Sequence, residues 1–149
     1  MCLRFSRVFA VVSGVTLFIT GSAKLFSIFG RDALLDFHDP VTGLSFRYLL
    51  LFVGLLEVVI AYVCFDVQKL SVSIELVAWL STGFLFYRCG LFVLGWRRFC
   101  PCLGSLTGAI HVSSHTADTA MKIILGYLLI GSYSTLFFIW REKRKSCIM

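Results

Sequence analysis

Apolar residues in this chain come in four long blocks separated by short polar stretches. The blocks cover residues 8–29, 48–65, 72–96 and 120–140, and each holds 18 residues or more. Crossing roughly 30 Å of hydrocarbon takes about 20 apolar residues in helical form, so each block reads as a membrane-spanning helix. Short links reverse the chain three times. The expected fold is therefore an all-α integral membrane protein, an antiparallel four-helix transmembrane bundle forming a single domain over residues 1–149.

Composition agrees with that pattern. The chain is 58% hydrophobic and only 15% charged, with a mean hydropathy of +0.89. A soluble domain has about 45–50% apolar and about 25% charged residues, and a disordered chain has fewer apolar residues still. Both classes are excluded, as is a second folded domain in the remaining links and tails. The first block follows Arg4 and Arg7 and contains Gly21-Ser22-Ala23, a cleavage-like run of small residues. Apolar residues continue through Leu25, Phe26, Ile28 and Phe29, so a retained helix is expected.

Polar residues inside the blocks mark the helix faces that avoid lipid. In the first block Ser13, Thr16, Thr20, Lys24 and Ser27 recur every three or four residues, forming one narrow stripe. Gly54, Glu57, Ala61 and Cys64 repeat that spacing in the second, as a seam of small residues around one carboxyl group. The two stripes are expected to pack together. At a rise of ~1.5 Å per residue, Lys24 lies ~8 Å, Arg88 ~12 Å and Glu57 ~14 Å from the outer end of its span. A lone charge at such a depth costs at least ~2.5 kcal/mol, which favours an intramembrane polar cluster of Lys24, Glu57 and Arg88. The competing structural reading has Lys24 snorkelling outward while Arg88 and Glu57 pair. Glu75, close to the opposite end of its span, can reach water and is the weaker candidate.

Net charge, formally +6, chiefly sets orientation. Arg4, Arg7, Lys69, Arg141, Lys143, Arg144 and Lys145 fall on one side, against Arg31, Arg47, Arg97, Arg98 and Lys122 on the other. The positive-inside rule places both termini in the cytoplasm. Because the basic residues are split between two faces, nucleic acid is not an expected partner, and membrane lipid is. Cys147 stands third from the end rather than fourth, so the last residues are not read as a prenylation box.

Six cysteines occur, and two stand apart: Arg97-Arg98-Phe99-Cys100-Pro101-Cys102-Leu103-Gly104. Cys2 and Cys147 fall on reduced cytoplasmic tails, and Cys64 and Cys89 read as buried small apolar residues. Arg97 and Arg98 are placed to stabilise a thiolate, which makes Cys100 and Cys102 the candidate catalytic pair. A disulfide across one intervening residue needs a bent backbone, which Pro101 and Gly104 favour, and such a bond suits exchange better than stapling. A static disulfide and a metal site with His111 and His115 are the alternatives at this point. One residue between the cysteines is short for zinc, and the two histidines read more simply as part of an exposed Ser/Thr-rich loop, so no metal is assigned.

Together, Gly14-x6-Gly21-x2-Lys24, Asp39-Pro40, Glu57 and the Cys-x-Cys-x-Gly of residues 100–104 resemble the DoxX-like superfamily, and within it the MauE branch of methylamine-utilisation membrane proteins. The resemblance implies a compact four-helix bundle of the bacterial inner membrane that supports maturation of a disulfide-rich periplasmic protein. Lys24 and Glu57 would match its intramembrane polar positions, and Cys100 with Cys102 its outer thiol pair. The expected role is thus a redox accessory protein exchanging disulfides with a thioredoxin-like or disulfide-containing periplasmic partner. A quinone between the helices would be the electron acceptor, although no residue of the sequence marks its site. The rival expectation is a small transport or scaffold subunit without redox activity.

Overall fold

The computed structural model describes residues 2–29, 38–39, 41–66, 70–95 and 114–146. Four helices account for nearly all of them: α1 Cys2–Ser27, α2 Phe46–Phe65, α3 Leu70–Val93 and α4 Ser114–Ser146. None of these four helices contains a proline. In hydrocarbon a backbone must satisfy its own hydrogen bonds, so long uninterrupted helices are the stable form of such apolar blocks.

Helix ends depart from the expected span limits. Hydropathy marks only the apolar stretch, whereas α1 and α4 continue into their basic flanks, taking in Arg7 and the run Arg141–Lys145. Instead of reaching Trp96, α3 closes at Val93, where Gly95 adopts a φ of +67° suited to a residue without Cβ. The loop expected over residues 112–116 is likewise corrected from Ser114 onward, because Ser114 through Thr116 form the first turn of α4, while residues 112 and 113 lie outside the described residues.

The tightest packing joins α1 to α2, and small residues explain it. A Cβ placed on Gly14 would stand 2.9 Å from the Cys64 Cβ, and one on Gly21 would stand 3.0 Å from the Glu57 Cβ and the Gly54 carbonyl oxygen. Gly54 in turn lies against Leu25. Residue numbers therefore rise along one helix as they fall along the other. Elsewhere, Phe9 of α1 packs over Gly131 of α4, and Leu17, Ile60, Val77, Leu80 and Leu128 bring all four helices into one apolar core.

Large apolar side chains are exposed along all four helices, with Trp79 81%, Phe92 87% and Phe26 71% exposed. In water such a surface would drive association, while hydrocarbon solvates it without cost. All four helices are long and apolar enough to cross a membrane. The chain is accordingly a multi-pass membrane protein.

Candidate intramembrane site

Close approach of α1 and α2 at Gly21 and Gly54 creates the central polar feature. Lys24 Nζ donates to both carboxylate oxygens of Glu57, at 2.7 and 2.8 Å, and the two side chains are almost wholly buried. No snorkelling occurs, since burial beside a carboxylate meets the charge more directly than a stretched side chain does. Phe84 of α3 presents its ring 5.7 Å from the same ammonium, a cation–π contact that covers it from the third helix. The fourth buried member of the α1 stripe, Ser13, has its Oγ enclosed with no hydrogen-bond partner among the described residues.

Arg88 does not join this pair. Its guanidinium meets Asp118 of α4 at 3.1 Å, and Lys122 bonds the same carboxylate at 2.7 Å one turn further on. The expected three-residue cluster is thus corrected to two separate groups. Asp118 precedes the apolar block at residues 120–140 and is available to Arg88 because α4 starts earlier than that block. Cys64 is buried as expected, but Cys89 is exposed, correcting its assignment to the interior. Glu75 is exposed as well. Cys100, Cys102, Arg97, Arg98 and His111 lie outside the described residues, and of His115 only its place in the first turn of α4 is described.

A half-open cleft of about 530 Å³ lies between α2 and α3. Leu50, Val53 and Ile60 form one wall, Leu80 and Phe84 the other, and Lys24 stands on its inner side. This volume is within the roughly 300–1,000 Å³ typical of small-molecule sites, and an apolar wall with one placed polar group is their usual chemistry.

One more buried carboxylate holds Tyr87, a residue of the cleft wall. Asp39, 1% exposed, accepts hydrogen bonds from Thr42 N and Oγ1 at 2.9 and 2.7 Å through one oxygen, and from Tyr87 OH of α3 at 2.9 Å through the other. Its backbone also bonds Gly43 N and Leu44 O at 2.8 Å each, with Gly43 at φ +71°. The result is a side-chain-capped turn that latches the connection before α2 onto α3. The sequence offered the signal, since Asp followed three residues later by Thr and then Gly is turn chemistry, but nothing local named Tyr87 as the partner. Removing the Tyr87 hydroxyl leaves one oxygen of a buried carboxylate unmet. Tyr87→Phe is therefore expected to cost about 1–3 kcal/mol in thermal unfolding in detergent, and Asp39→Ala more because three bonds are lost.

Compared with models of known protein families, with curated proteins and with solved structures, the chain matches none.

Proposed function

We propose that this protein supports thiol–disulfide exchange at the outer face of the bacterial inner membrane, as an antiparallel, DoxX-like four-helix bundle with both termini in the cytoplasm. The observation that carries this reading is Cys100-Pro101-Cys102 directly behind Arg97-Arg98. Two cysteines with one residue between them and two arginines shortly before them in sequence are the most concentrated reactive chemistry in the chain. They occur in the connection between α3 and α4, two helices that Arg88 and Asp118 tie together near its start and end. In the forward direction a thiolate of a periplasmic partner attacks the Cys100–Cys102 disulfide, forming a mixed disulfide and releasing one cysteine as thiolate. A second partner thiol then displaces the other. Two electrons and two protons pass to Cys100 and Cys102, and the partner leaves with a disulfide. Reoxidation requires a two-electron acceptor, for which a membrane quinone, converted to quinol, has the right stoichiometry. A MauE-like role in maturing a disulfide-containing protein, in methylamine metabolism or elsewhere, is consistent with this cycle.

Acid trapping followed by alkylation and mass counting tests the reading. Part of the Cys100 and Cys102 population should be oxidised during aerobic growth, and a Cys102→Ser variant should accumulate a mixed disulfide through Cys100. A pair that stays fully reduced, together with full activity in Cys100→Ser and Cys102→Ser variants, would overturn it. A second reading, a transport or scaffold subunit, is favoured by the buried Lys24–Glu57 pair. It expects activity to survive the double cysteine substitution and to vanish in Glu57→Gln.

A further inference from the structure

We propose that the cleft between α2 and α3 binds the ring of a quinone, whose carbonyl oxygen takes the third N–H of Lys24. The inference rests on the thiol–disulfide reading only for what the quinone does, not for its binding. An ammonium has three donors, and Glu57 occupies two. The third has no hydrogen-bond acceptor among the described residues, and Lys24 lines the cleft. Charge decides what kind of acceptor fits. Lys24 is already neutralised by Glu57, so an anionic ligand would leave a net charge in hydrocarbon, whereas an uncharged carbonyl adds none.

Depth separates a quinone from an ordinary lipid. Along α2 the cleft runs from Phe46 to Ile60, a rise of about 21 Å, and Glu57 stands about 16 Å from its Phe46 end. A phospholipid filling such a groove keeps its carbonyls at the headgroup level and brings only methylenes to Lys24. A quinone carries its carbonyls on an apolar body and can take them to that depth. Aromatic walls suit a flat ring too: Phe84 covers Lys24, and Trp79 stands on the exposed side. A Cβ added at Gly83, between them in sequence, meets nothing within 4 Å, so the cleft is open there to a planar group.

The test uses the full chain in phosphatidylcholine nanodiscs. Substituting Trp96→Phe and Trp140→Phe leaves Trp79 as the sole tryptophan, and a ring bound beside it quenches its fluorescence. Titration with decylubiquinone should quench saturably, while a dialkyl ester of equal lipophilicity should not compete. Gly83→Phe, which fills the cleft without touching the ion pair, should weaken binding about tenfold or more, and so should the uncharged double substitution Lys24→Met/Glu57→Met, which removes the donor. Quenching that rises linearly without saturation, competition by the ester, or an affinity unchanged by Gly83→Phe would overturn the proposal. Repeating the titration in Cys100→Ser/Cys102→Ser separates the two readings. Saturable binding there, with no disulfide ever trapped in the parent protein, means that the site stands and the exchange reading fails. An oxidised cysteine pair without saturable quenching means the reverse.

Discussion

Lys24→Met and Glu57→Ala are each expected to lose about 3–5 kcal/mol of stability, because either change strands the remaining charge among buried residues. The pair has bidentate geometry at 2.7 and 2.8 Å and both residues are buried, so no other charged group among the described residues is placed to relieve the survivor. Thermal unfolding in detergent and the amount of protein recovered from membranes both report the loss. The double variant Lys24→Met/Glu57→Met should regain most of it, since replacing a buried ion pair by apolar residues of similar volume is often neutral. That recovery gives the experiment its value. A double variant that folds but is inactive assigns the pair a functional role, and one that folds and works makes it purely architectural. Single variants as stable as the parent protein would show that the pair is not enclosed as described.

Gly21→Leu is expected to be comparably severe, through packing rather than charge. Its Cβ alone would meet the Glu57 Cβ, the Gly54 carbonyl oxygen and the Val58 Cγ2 at 3.0 Å each, and the carbonyl is backbone that cannot rotate away. Overpacking of this kind costs about 1–3 kcal/mol, occasionally more, and here the separated helices would also pull Lys24 from Glu57. Gly14→Leu should behave similarly, with Cys64 as the obstacle. Gly83→Ala is the control. Nothing lies near its Cβ, and alanine favours a helix by up to about 1 kcal/mol over glycine, so its unfolding temperature should hold or rise. Equal effects at Gly21 and Gly83 would mean that helix propensity, not interhelical contact, governs these positions.

Legibility of the site followed the range of the forces involved. Ser13, Thr20, Lys24 and Ser27 face inward as their spacing indicated, with Thr16 half-buried at the margin, and Gly54, Glu57, Ala61 and Cys64 are all buried. A polar group in hydrocarbon is costly wherever it lies along a helix, so periodicity within one helix suffices to find the protected face. The partner of Arg88 was not found this way. Depth alone put Arg88 near Glu57, but depth says nothing of direction around the bundle, and the polar residues of α3 are spread over more than one side and form no single stripe to orient it. For the same reason the exposure of Cys89, one residue along, was misjudged. Asp39 entered only through the family resemblance, and its bond to Tyr87 spans 48 residues and exists only because α3 passes beside the turn.

By itself the sequence determined the number of spans, their approximate limits, the α1–α2 seam and the need for charges to pair within it. Each of these depends on the transfer of one segment, or one side chain, between water and hydrocarbon, which is a local quantity. Tertiary structure alone decided which pairs form: Lys24 with Glu57, Arg88 with Asp118, and Tyr87 with Asp39. It also left α2 and α3 apart, opening the cleft onto Lys24, because α2 is drawn to α1 by glycine contacts and has no comparable small-residue seam for α3. An ion pair needs two charges at one depth and on facing sides. Rise along the helix sets the first condition, and only the packed bundle sets the second.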